Sequence, residues 1–247
     1  MFNKSKITFV SLAGVGGCSI SKALRSLGQN GYPFDWLIAR QDFVISAIES
    51  NGKHFFDFDN PQRLHGETII TTASNNALSI HDFKKNWLIE KENVKKKYKR
   101  RWMRLDNILN SSQQSQSPQK IIFIRSFLDM DEPIESIYDN IFLRREEKIK
   151  LWEEFLCRLK EKNPNKEMDI IILTSRKDLK SNVPNVRVIT MENYKDHKEI
   201  EKVIKGFLPL VHRYMYLVVN LKYMLKKLYF DIIINYFSKL KTQAKRY

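Results

Sequence analysis

Two short apolar runs constrain the fold of this chain more than anything else in it. Residues 121–124 lie within "KIIFIRSF" and residues 170–173 within "MDIIILTS". Both are continuous and β-branched instead of alternating with polar residues. A strand with one wet face alternates, whereas a continuous run suits a central strand covered on both faces. Between them lies "RREEKIKLWEEFLCRLK", residues 144–160, a helical pattern with Ile149, Trp152, Phe155, Leu156 and Leu159 on one face. Cys157 falls near that apolar side. Weaker strand-like runs are "KITFVSLA", "ETIITTA" and "VRVITME". Further helix-like segments are residues 19–27, 90–109 and 197–207. Strands that alternate with helices in this way predict an α/β fold, with a mainly parallel sheet flanked by helices.

The chain is predicted to divide at Pro209. Residues 1–206 read as an α/β domain of catalytic type, interrupted by a polar loop, "NSSQQSQSPQ". Residues 207–247 read as a basic amphipathic helical tail. The first apolar run, near the N-terminus, is short and flows into charged sequence, so it reads as a first strand and not as a signal peptide. Two widely separated cysteines, Cys18 and Cys157, make no disulfide framework and suit a reducing compartment.

Charge is unevenly spread. The formal net charge is +15, and from Lys205 onward nine Lys or Arg face a single acid, Asp231. A second basic cluster reads "KKKYKRRWMR". Polyanions are therefore the expected partners: anionic lipid, an acidic substrate or nucleic acid. The tail offers no stretch of eighteen uncharged apolar residues, so a spanning helix is not expected. A basic helix with a wide apolar face suits a membrane surface. The alternative is packing on the domain or on a second subunit.

Cys18 follows the first strand and a glycine-rich turn, "AGVGGC", and precedes the first helical segment. A helix N-terminus favours a thiolate, because its amides are unpaired and the helix dipole is positive there. Gly14, Gly16 and Gly17, with Ser19, would bring N–H groups close to an oxyanion or a phosphate. The loop lacks the Lys-Ser/Thr of a P-loop and the spacing of a dinucleotide fingerprint. The plainer reading is a small buried cysteine. No Cys-x-x-Cys or His-Glu-x-x-His spacing suggests a metal.

A cysteine loop after the first strand, followed by "PFDW" at residues 33–36, resembles the family described as papain-like cysteine peptidases, often encoded among bacterial surface-polysaccharide genes. "HDF" at residues 81–83, "YKRRWMRL" at 98–105 and "IIFIR" at 121–125 resemble further elements of that family. The resemblance covers roughly residues 5–190. The cysteine loop departs from the family pattern Ser-Leu-Gly-x-x-Cys: here it runs from Ser11 to Cys18 and is two residues longer.

A thiol nucleophile needs a base, and His81 is the choice among His54, His65, His81, His197 and His212, raised by the family element. Asp82 would point to the opposite face of an extended strand from His81, so Asp35 of "PFDW" is the preferred acid to orient the imidazole. The other reading of "PFDW" is structural: a turn, two core aromatics and a capping acid. Arg100, Arg101 and Arg104 nearly share a helical face, and Arg125 ends a strand. Together they could hold phosphate or carboxylate, such as the pyrophosphate of an acyl-coenzyme A donor, or simply form a solvated face.

The favoured reading is a cysteine-dependent acyltransferase without a tightly bound cofactor. It would modify a cell-surface polysaccharide at the cytoplasmic face of the membrane, held there peripherally by the C-terminal helix. The rivals are a papain-like cysteine peptidase and a non-catalytic module binding a polyanion or glycan. Nucleic acid is not favoured, because the basic runs lack the aromatic spacing of known RNA motifs.

Overall fold

The structure, a computed structural model, describes residues 6–12, 14, 17–52, 55, 62–64, 69–71, 78–80, 87–110, 119–126, 145–193 and 196–208. Within them the chain runs β1 (Lys6–Ser11), α1 (Gly17–Ser26), β2 (Leu37–Ala39), α2 (Gln41–Glu49), β3 (Gln62–Leu64), β4 (Ile69–Thr71), β5 (Leu78–Ile80) and α3 (Trp87–Asn110). It continues with β6 (Gln119–Ser126), α4 (Arg145–Lys162), β7 (Glu167–Thr174), β8 (Val186–Thr190) and α5 (His197–Phe207).

Four strands form a parallel sheet in the order β1-β6-β7-β8. The two continuous apolar runs are its central strands. They align with Phe123 opposite Ile170 and Ile124 opposite Ile171. From Met168 to Thr174 every residue of β7 is buried. Both faces are covered. Ile121, Phe123, Met168, Ile170 and Ile172 join one core cluster with residues of α3 and α4. The alternate residues Ile122, Ile124, Ile171 and Leu173 are equally buried on the other side, where α1 lies against β1 and β6.

The apolar face read from residues 144–160 is the buried face of α4: Ile149, Trp152, Phe155, Leu156 and Leu159 all lie in the core cluster. Cys157 is not beside them; it is exposed. It follows Leu156 by one residue, about 100° around the helix, and that rotation carries it out of the apolar stripe.

A second sheet is antiparallel, in the order β2-β5-β4-β3. The run "ETIITTA" supplies β4, but β4 pairs here with β3 and β5 and not with the parallel sheet. An aromatic group fills the space under α3: Phe34, Phe55, Tyr98 and Trp102 are buried. Phe34 meets Phe55 edge to face, with ring centroids 5.4 Å apart.

The chain separates into two compact units, residues 1–202 and 203–247, with the division inside α5. The second is described only as far as Leu208, so the amphipathic tail read from the sequence lies outside the described residues from position 209 onward. No helix among the described residues is long and apolar enough to cross a membrane.

Candidate active site

The site begins where β1 ends. Leu12 N–H continues the strand pairing by donating to Ile124 C=O at 2.8 Å. The chain then turns through Gly14, which has a φ of +103°. A β-carbon at Gly14 would lie 2.7 Å from the Ser126 carbonyl oxygen and 3.0 Å from its hydroxyl. Only glycine permits both this backbone and this approach. The turn is thereby pressed against the carboxyl end of β6.

Cys18 is the second residue of α1, in its first turn, and is half-buried. It therefore lies at the carboxyl edge of a parallel sheet, next to the amino end of a helix. Gly17 opens the helix and Ser19 follows the cysteine, half-buried. Gly16 lies outside the described residues, as do His81, Asp82, His54, His65 and His212.

Arg125 explains how the loop is held. It is buried, and its guanidinium donates to Leu12 C=O at 2.8 Å and to Ala39 C=O at 3.1 Å. One side chain thus joins the end of β1, the end of β6 and the end of β2. It also lies over the Trp152 ring, 5.3 Å from the centroid.

Asp35 is buried and reaches α1 through Ser21. Its Oδ1 accepts from Ser21 Oγ at 3.2 Å, and its Oδ2 accepts from Tyr32 N–H at 2.9 Å. Ser21 stands three residues after Cys18, on the same side of α1. Ser21 Oγ also accepts from Trp36 N–H at 3.1 Å, where Trp36 has a φ of +64°. Burial raises the Asp35 carboxyl above its ordinary range, against the opposing pull of Tyr32 N–H, Arg101, Ser21 and Arg25. Tyr32 is pushed up to about 12 by burial and by the Asp35 charge. "PFDW" is therefore a brace between α1 and the turn at residues 32–36, with Phe34 in the core.

The four arginines occupy separate surroundings. Arg101 is buried over the Tyr98 ring and donates to Asp35 C=O at 3.0 Å. Arg104 donates to Gly31 C=O at 2.9 Å. Arg125 grips the strand ends, and Arg100 faces solvent. Sequence reasoning missed these main-chain tasks of Arg101, Arg104 and Arg125. The one signal available was that Arg101 lies three and four residues from Tyr98 and Leu105, on their side of the helix. Among the described residues no group of three or more His, Cys, Asp or Glu is placed to hold a metal ion.

A family model for "Putative papain-like cysteine peptidase" (DUF1796) matches residues 7–178. The chain belongs to this family. The matched span opens in β1, takes in the Cys18 loop, the turn at residues 33–36 and Arg125, and closes just after β7. Comparison with curated proteins and with solved structures gives no match.

Proposed function

We propose that this member of the family is a cysteine-dependent acyltransferase, with Cys18 as its nucleophile. One observation carries the reading: a half-buried thiol in the first turn of α1, at the carboxyl edge of a parallel sheet, on a loop fixed from beneath by Gly14 and Arg125. The first-turn amides and the helix dipole favour the thiolate and would stabilise an oxyanion beside it. His81 is the general base in this reading. Asp35 is the acid that orients His81 in this reading, and it also ties α1 to the turn at residues 32–36 through Ser21.

The chemistry runs in two steps. The Cys18 thiolate attacks the carbonyl carbon of an acyl-coenzyme A, the C–Sγ bond forms as the C–S bond to coenzyme A breaks, and the departing thiolate takes its proton from protonated His81. A polysaccharide hydroxyl then attacks the thioester carbonyl carbon. The C–O bond forms, the C–Sγ bond breaks, and His81 carries the hydroxyl proton away. A peptidase would use the same acyl-enzyme with an amine leaving group and water as acceptor, and the family description supports that chemistry. The membrane enters as a workplace: nine cations from Lys205 onward suit the anionic inner face of a cell membrane.

The two cysteines provide the test. Cys157 is the more exposed, so access alone would make it react first. A helix N-terminus reverses that order below pH ~8. Iodoacetamide should label Cys18 ahead of Cys157 at mildly acidic to neutral pH, read by peptide mass. Acetyl-coenzyme A should add one acetyl group at Cys18 and none to a Cys18→Ser variant. Labelling that follows exposure, with Cys157 first at every pH, removes Cys18 as the nucleophile.

A further inference from the structure

The fold sorts the cluster "KKKYKRRWMR" by direction. Tyr98, Arg101 and Trp102 point inward and are buried. Lys96, Lys99, Arg100, Met103 and Arg104 are exposed. Positions 96, 99, 100, 103 and 107 follow the 3-4 spacing of one helical face, opposite the face that carries Val94, Tyr98, Leu105 and Leu109 into the core. Among the described residues no ion pair engages Lys96, Lys99 or Arg100. Met103 is 62% exposed, the one large hydrophobic side chain so exposed among the described residues.

We propose that this outer face of α3 is a docking surface for an anionic lipid bilayer. Three observations select that occupant. The face is cationic over two turns of helix, about 10 Å from Lys96 to Met103, which gives charge complementarity to anionic headgroups. It is a convex helix surface: the cavity beside α3 is lined by Trp102, Leu105, Asp106 and Leu109 and opens on another side of the helix. A flat partner fits such a face better than a small anion does. Third, the exposed Met103 stands among the cations, where an apolar side chain can enter the acyl boundary while the lysines reach the headgroups. Single-stranded nucleic acid would instead need aromatic stacking platforms, and both aromatic side chains of the cluster are buried. The surface belongs to the folded unit of residues 1–202 and does not depend on the chemistry at Cys18 or on the basic tail.

The test compares the full-length chain with a Lys96→Gln/Lys99→Gln/Arg100→Gln variant on vesicles of phosphatidylcholine with and without phosphatidylglycerol. All tail cations stay in place in both proteins, so the difference reports α3 alone. Each cation close to an anionic bilayer is worth about fivefold in partitioning, and three are worth about 100-fold. The variant should lose affinity on that scale for the anionic vesicles, with an unchanged melting temperature. Met103→Ser should weaken binding by up to about tenfold. A control variant, Lys150→Gln/Lys177→Gln/Lys180→Gln, exposed on other elements, should bind like the wild type. Equal partitioning of wild type and the α3 variant overturns the proposal. So does a loss confined to single-stranded polynucleotide binding with vesicle binding intact.

Discussion

Gly14 shows how much of the site rests on the absence of one methyl group. Its φ of +103° is costly for any side chain, and the carbonyl of Ser126 occupies the space a β-carbon would need. Gly28 is a built-in control, since its φ is +70° and nothing lies within 4 Å of the β-carbon position. Gly28→Ala should cost about 1–2 kcal/mol, the left-handed penalty alone. Gly14→Ala should cost about 1–3 kcal/mol more, because β1 and β6 must part or the turn must deform. Denaturant unfolding of the two variants measures the difference, and equal losses would mean that the turn relaxes freely. Tyr32 supplies a second test at this scale. Its folded value is about 12 against an ordinary 10.0, through burial first and the Asp35 charge second. As pH rises above 10 the unfolded phenol ionises while the folded one stays neutral, so the unfolded state has shed the proton and stability falls up to about pH 12. Two units correspond to about 2–3 kcal/mol. Tyr32→Phe should remove that part of the alkaline decline, seen as a flatter stability curve from pH 10 to 12; an unchanged slope would assign the decline to other groups.

At the scale of elements, what could be read from sequence depended on whether an element carried its own periodicity. The β6 and β7 runs and the α4 stripe are self-sufficient signals, and each appears within about two residues of its expected bounds. The antiparallel sheet was not legible, because its strands are three residues long and such strands carry no countable alternation. Only β4 announced itself, through "IITT", and its partners did not. The helix α2 was hidden for another reason. "QDFVISAIE" is rich in β-branched residues with modest helix propensity, yet burial of Val44, Ile45, Ala47 and Ile48 fixes it as a helix. At the site, the glycine-rich turn and the helix start after it were readable from local chemistry. The buried arginines were not. Arg101 and Arg125 are buried because carbonyls from residues 66 and 113 positions away reach their guanidinium groups, and no local pattern encodes a partner that distant.

Over the whole molecule the two sheets of the first unit differ in what holds them. The parallel sheet has long central strands, apolar cover on both faces and registers of five to seven residue pairs. The antiparallel sheet pairs only two or three residues at each junction. Opening a short pair exposes little apolar surface, whereas opening β6 from β7 exposes the entire core, so the two sheets should unfold at different free energies. On the site side Arg125 joins Leu12 of the parallel sheet to Ala39 of the antiparallel one. Native-state hydrogen exchange should therefore find the slowest amides at Phe123, Ile124 and residues 170–173, opening only with global unfolding at about 5–15 kcal/mol. Amides of β3, β4 and β5 should exchange several orders of magnitude faster, by local opening that leaves the parallel sheet closed. An Arg125→Met variant should leave the slow set as the slowest while speeding exchange further in β2, since the guanidinium that ties its end is gone. Uniform protection across both sheets would refute this division and make the first unit a single cooperative core.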